Sequence, residues 1–71
     1  MDIQMVIKND FGTYRSEVLS LQKEEYETLL EASKSFYNNG FEMNTDSGFI
    51  VLPPEVTKKS ILIIEIINTK M

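Results

Sequence analysis

Residues 60–67 read Ser-Ile-Leu-Ile-Ile-Glu-Ile-Ile, and this stretch decides the fold. Its density of β-branched residues favours a strand. Alternate side chains of a strand point to opposite sides, so this strand is apolar on both. One side carries Leu62, Ile64 and Ile66. The other side carries Ile61, Ile63, Glu65 and Ile67. Such a pattern is typical of a strand that is covered on both sides.

Four further strands are predicted earlier in the chain. Apolar and polar residues alternate over residues 2–8 and again over residues 13–19, with the turn-forming sequence Asn-Asp-Phe-Gly between them. Short apolar strands follow at 41–44 and 49–52, separated by a second polar turn that ends at Gly48. The sequence therefore predicts two β-hairpins.

One amphipathic helix is predicted between the two hairpins, over about residues 22–38. Ser20 or Gln22 is its candidate N-cap, and Gly40 is the expected stop signal. A single helical turn is predicted at 54–59, where a proline stands at the start. The apolar stripe of the main helix consists of Tyr26, Leu29, Leu30, Ser33, Phe36 and Tyr37.

The order β-β-α-β-β-β predicts an α+β fold, with a small antiparallel or mixed β-sheet and one amphipathic helix packed on one face. We expect residues 1–71 to form a single small globular domain, with 68–71 as a tail. Gly40 and Gly48 are both expected to need a positive φ angle. The predicted core places Tyr26, Leu29, Leu30 and Phe36 of the helix against Ile3, Val18, Ile50, Leu62 and Ile64.

The composition argues against several kinds of chemistry. The chain has no cysteine and no histidine, so it lacks a thiolate nucleophile and the commonest general base near neutral pH. Glu42, Asn44 and Asp46 alternate ahead of Gly48, but their spacing departs from that of an EF-hand. We therefore expect no enzymatic activity, no metal site, no cofactor and no small-molecule substrate.

The charge and the apolar runs restrict the expected partners. The net charge is −4, which disfavours nucleic acid because phosphate binding requires clustered Lys and Arg. An alternative is a nucleic-acid-associated protein that stacks bases on Tyr14, Phe41 and Phe49 of its sheet. No apolar run is long enough to cross a bilayer, and residues 1–4 do not resemble a signal peptide. We expect a cytoplasmic protein without a membrane partner.

Two surfaces are candidate binding sites. Glu24, Glu27 and Glu31 lie off the helical stripe, where they form either a solvated face or an acidic face that imitates phosphates. The second candidate is the side of the last strand that carries Ile61, Ile63, Glu65 and Ile67. One helix covers only one side of a sheet. The other side must be covered by residues 53–59, by a curled sheet or by another chain.

These observations predict a small acidic protein-interaction domain that binds and regulates or inhibits another protein, and that self-associates as a homodimer. A structural subunit of a larger assembly is a further alternative. The chain resembles small accessory proteins encoded by bacteriophages, which are often short, acidic and free of cysteine. The resemblance covers the whole chain and is carried by no specific motif. It implies a role in binding another protein.

Overall fold

The computed structural model describes residues 1–67 and confirms the predicted α+β class. The predicted tail at 68–71 lies outside the described residues. The elements in chain order are β1 (Asp2–Asn9), β2 (Gly12–Arg15), β3 (Leu19–Ser20), α1 (Lys23–Ser33), α2 (Phe36–Asn39), β4 (Phe41–Thr45), β5 (Gly48–Leu52), α3 (Pro54–Thr57) and β6 (Ile61–Ile67).

The larger sheet is antiparallel, and β1 is its central strand. β6 pairs along one edge of β1, from Lys8 opposite Ile61 to Asp2 opposite Ile67. β2 and β3 share the other edge, where β2 pairs with one end of β1 and β3 with the other. The strand with two apolar sides in the sequence, β6, is thus an edge strand among the described residues. Leu62 and Ile64 pack against the core, so the described residues cover one side of β6, and the expected cover of its other side stays a prediction.

The predicted second strand, 13–19, is divided at Ser16. The Ser16 backbone N–H donates to Met5 O at 2.9 Å, and its Oγ accepts a hydrogen bond from Met5 N at 2.9 Å. Ser16 also forms an isolated bridge with Thr45. Through this buried serine, the small β4–β5 sheet is attached to the edge of the larger one.

The predicted helix at 22–38 is two helices, α1 and α2, with an interruption at Lys34 and Ser35. The Ser33 hydroxyl donates to Leu30 O at 2.7 Å, and the Ser35 hydroxyl donates to Ala32 O at 2.9 Å. Serine hydroxyls that bond to carbonyls of the preceding turn compete with the helical hydrogen bonds and bend the helix. The interruption starts a new helix at Phe36, which is buried.

The N-cap of α1 is Gln22, whose backbone N–H donates to the Glu25 carboxylate at 2.8 Å. This hydrogen bond is one of the two that define a capping box, and it satisfies a backbone N–H group that has no partner within the helix. Ser20, the other candidate cap, lies in β3 and donates its hydroxyl hydrogen bond to Asp2 at 2.7 Å.

The core lies on one face of β1. Its buried residues are Ile3, Met5, Ile7, Phe36, Met43 and Leu52. Tyr26, Leu29, Ile50, Leu62 and Ile64 pack against this cluster while partly exposed, as predicted. Leu30 and Val18 were expected in the core, but they are 38% and 51% exposed. Every residue of α1 is exposed or only half-buried, because the short helix contacts the core with a narrow stripe.

Gly40 and Gly48 differ, although both were predicted to need a positive φ. Gly40 has φ 77° and ψ −172°, a conformation that is close to exclusive to glycine. A Cβ atom there would lie 2.6 Å from Leu52 O. Gly48 has a negative φ, because it pairs with Thr45 as a strand residue and the turn is made before it. The prediction is confirmed for Gly40 and wrong for Gly48.

Candidate interaction surface

The sheet formed by β1, β2 and β6 has two faces, and the strand register assigns each residue to one of them. Met5 of the core lies opposite Ile64, whereas its neighbour Val6 lies opposite Ile63. We call the face opposite to the core the second face. The register places on it Asp2, Gln4, Val6, Lys8, Thr13, Arg15, Ile61, Ile63, Glu65 and Ile67. The four β6 residues predicted to share a side therefore do so.

The centre of the second face is apolar. Val6 is only 1% exposed, and its cross-strand neighbours are Arg15 in β2 and Ile63 in β6. Ile63 and Ile67 are half-buried, whereas Ile61 is 59% exposed. The result is an isoleucine strip along β6 with a valine beside it in the central strand.

Glu65, the one acid within this strip, has an ionic partner. Its Oε1 lies 3.5 Å from Nη1 of Arg15. Arg15 sits in β2 and Glu65 in β6, so the arginine side chain crosses β1 next to Val6 to reach the carboxylate. The aliphatic part of a long basic side chain commonly covers apolar surface in this way. Because both side chains are about half exposed, the pair itself stabilises the fold by at most about 1 kcal/mol.

The elements outside the larger sheet pack against the core, away from the second face. α1 contributes Tyr26 to the core side, α2 contributes Phe36, and the β4–β5 hairpin contributes Met43. The segment 53–59, which was a candidate cover for the isoleucine strip, contains α3 and packs Val56 against the core as well. That candidate cover is therefore wrong. Over residues 1–67, the second face has no layer of secondary structure on it.

The predicted acidic face of α1 is solvent-exposed. Glu24, Glu27 and Glu31 lie on exposed positions of the helix. Glu31 forms an ion pair with Lys34, with an N–O distance of 3.1 Å, which partly neutralises that end of the face. A role of these glutamates in imitating phosphates stays a prediction.

The three aromatic residues considered for base stacking do not share a surface. Tyr14 and Phe41 pack against the core cluster. Phe49 is exposed on the outer side of the β4–β5 hairpin, where it lies opposite Asn44. These positions offer no common stacking platform, which weakens the nucleic-acid alternative.

Other features of the described residues have little chemical specificity. A surface depression of about 480 Å³ lies at the Gly40 turn, between Phe41 and Pro53, and Glu42 is the ionisable residue of its lining. In residues 1–67, no three His, Cys, Asp or Glu side chains are grouped so that they could hold a metal ion. None of the helices in this part of the chain is long and apolar enough to span a membrane.

The members of the second face outside β6, among them Val6 and Arg15, were not predicted site residues. A signal for Val6 exists in the sequence, because Met5-Val6-Ile7 interrupts the alternation of β1 with three consecutive apolar residues. Arg15 is the sole arginine of the chain, but its pairing with Glu65 depends on the strand order, which the sequence pattern does not contain.

No family model, no curated protein and no solved structure matches this chain. The second face is consequently the feature from which a function can be inferred.

Proposed function

We propose that this protein is a small interaction domain that acts by binding another polypeptide chain through its second face, and that it self-associates. The observation that carries the proposal is the strip of Ile61, Ile63 and Ile67 beside Val6, on a face without a covering layer over residues 1–67. Full burial of one isoleucine contributes roughly 1.5–3 kcal/mol. A partner that covers the strip would therefore gain a substantial binding free energy.

The charge on the second face supports a protein partner. Arg15 is paired with Glu65 across the sheet, so Lys8 is the basic side chain of the face without an ion pair among the described residues. A nucleic-acid surface would instead carry several basic groups to neutralise phosphates. The isoleucine strip with a polar rim is the composition expected at a protein–protein contact.

We propose binding and not catalysis because the buried hydroxyl groups have structural partners. Ser16 Oγ donates to Glu17 O at 2.7 Å while it accepts from Met5 N. Ser60 Oγ donates to Val56 O at 2.7 Å and accepts from Asn9 Nδ2 at 3.1 Å. With these hydroxyls engaged and no histidine in the sequence, a serine nucleophile would lack its usual activating base.

The finer role that we propose is regulation or inhibition of a second protein, as small accessory proteins of bacteriophages provide, in the cytoplasm of a host cell. A homodimer would bury the second face in the resting protein, or form the composite surface that the partner recognises. In either case the same isoleucine strip is the contact region, so one pair of variants tests both.

The test compares Ile61→Lys with Val51→Lys. The two parent side chains are matched in exposure, at 59% and 62%, but Ile61 lies on the second face and Val51 on the outer side of the β4–β5 hairpin. In sedimentation velocity we expect Ile61→Lys to sediment as the single chain, while Val51→Lys keeps the parent behaviour. Equal sedimentation of the parent and Ile61→Lys would refute self-association through this face.

A further inference from the structure

The outer edge of β6 is open over the described residues. β6 pairs there with β1 alone, in an unbroken register from Ile61 to Ile67. Natural edge strands are usually protected by lysine, proline, a bulge or short length. β6 has none of these protections: its seven residues include one charge, Glu65, and that charge is paired with Arg15 on the second face.

The hydrogen bonds of β1 show which backbone groups of β6 point outward. Met1 exchanges backbone hydrogen bonds with Leu21, and Met5 bonds to Ser16 with both its N–H and its C=O. The odd-numbered residues of β1 thus direct their backbone groups away from β6. In an antiparallel ladder the even-numbered residues then bond to β6, at pairs such as Gln4–Glu65 and Val6–Ile63.

It follows that the outward backbone groups of β6 belong to Leu62, Ile64 and Ile66. Their N–H and C=O groups point to the open edge, whereas those of the alternate residues point to β1. These groups form a regular row of hydrogen-bond donors and acceptors. A strand added to the edge of a sheet pairs with such a row.

We propose that β6 of a second copy of this chain occupies the open edge in antiparallel orientation, with the two-fold axis at Ile64. The proposal rests on the self-association proposed above and assigns it to the second arrangement given there: the copies pair edge to edge, and their second faces join side by side into one composite surface. In this register Ile64 pairs with Ile64 of the partner copy, and Leu62 pairs with Ile66 of the partner copy. Every outward N–H and C=O of the three residues then has a partner.

The neighbouring registers are less favourable. An axis at Ile63 would require Ile66 to bond with Ser60, whose N–H is already donated to Thr57 O at 3.1 Å. An axis at Glu65 would place two glutamates directly opposite each other, where like charges repel. The axis at Ile64 instead places Glu65 opposite Ile63 of the second copy, and the carboxylate keeps its contact with Arg15.

Edge pairing also accounts for two exposed isoleucines that no single covering layer could bury. Ile61 lies on the second face and is 59% exposed, while Ile66 lies on the core side and is 61% exposed. In the proposed register Ile61 meets Ile67 of the second copy, and Ile66 meets Leu62 of the second copy. One contact therefore supplies cross-strand apolar neighbours on both faces of the sheet.

Cysteine cross-linking tests the register, because the chain contains no cysteine of its own. We would mix isotopically labelled Ile63→Cys with unlabelled Glu65→Cys and oxidise the mixture with copper phenanthroline. We expect a mixed disulfide between the two variants, since positions 63 and 65 lie directly opposite across the axis. A predominance of either disulfide-linked homodimer would overturn the register, and the absence of cross-linking would overturn edge pairing.

A second comparison tests the backbone contact itself. Ile66→Pro removes an outward N–H, whereas Ile66→Ala shortens the same exposed side chain and keeps that N–H. We expect the proline variant to dimerise on the order of tenfold more weakly than the alanine variant, with similar thermal melts for the dilute monomers. If the parent dimerises and Ile61→Lys disrupts it, but Ile66→Pro equals Ile66→Ala, edge pairing is wrong and the proposed second-face contact stands. A monomeric parent would refute both.

Discussion

Phe36 is the residue on which the helical part of the molecule depends. Its ring is 1% exposed in the core, and its centroid lies 5.1 Å from that of Tyr37 and 5.4 Å from that of Phe41, both edge-on. Removal of a buried phenylalanine side chain typically costs 3–5 kcal/mol, including the loss of such aromatic contacts. A chain of this length has a total stability of roughly 4–11 kcal/mol. Phe36→Ala should therefore remove much of the stability of the fold.

The matched control is Leu30→Ala, in the middle of the same predicted stripe. Leu30 is 38% exposed, so its truncation should cost about 1 kcal/mol or less. Urea denaturation followed by circular dichroism measures the free energy of unfolding of both variants. The dependence of this free energy on urea concentration should equal that of the parent if the surface exposed on unfolding is unchanged. Equal losses for the two variants would show that Leu30 is packed in the core to the same extent as Phe36, and would contradict its position at the surface.

Three further predictions concern the connections between elements. Gly40→Ala should lower the free energy of unfolding by at least about 2 kcal/mol, since the backbone conformation of Gly40 and the nearby Leu52 carbonyl both exclude a Cβ atom. Gly48→Ala, measured in the same thermal melts, should be neutral or stabilising by up to about 1 kcal/mol; a loss equal to that of Gly40→Ala would contradict this. Ser16→Ala should cost about 1–3 kcal/mol, because it leaves the buried Met5 N–H without its acceptor, and faster amide exchange at Met5 would report the change. Glu25→Ala should reduce the helicity of the first turn of α1 and cost about 1 kcal/mol or less, and unchanged Gln22 amide exchange would argue against the capping contact.

The strands were predictable because their signal is local. Alternation of side chains and the turn residues between them define β1, β4, β5 and β6 within a residue or two of their observed ends. The assignment of Ile61, Ile63, Glu65 and Ile67 to one face follows from the same period of two. These strands and one apolar helical stripe were sufficient to predict the α+β class.

The position of β6 at the edge of the sheet was not predictable in the same way. A run with two apolar sides is typical of a central strand, yet the central strand is β1, whose Met5-Val6-Ile7 run is shorter. Side-chain periodicity indicates which residues share a face, but it does not indicate which strand lies next to which. Within residues 1–67, no second layer of secondary structure covers the apolar second side of β6, and the cover that we propose for it is an external partner.

The predicted helix is wrong at its C-terminal half because residue spacing does not report competing side-chain hydrogen bonds. Ser33 fits the spacing of the stripe, but its hydroxyl bonds to Leu30 O and helps to end α1. The new helix, α2, then places Phe36 in the core, and Leu30 is left at the surface. The serines at 33 and 35 were the available signal for this interruption.

The molar mass of the parent chain over a dilution series tests the central claim most directly. Light scattering should give twice the 8.2 kDa chain mass at high concentration and a fall toward 8.2 kDa on dilution. This result is expected because the apolar side chains of β6, which include Ile61 and Ile66, gain contacts from a second copy in the proposed dimer. A mass of 8.2 kDa at every concentration would contradict self-association and, with it, the proposed pairing of β6.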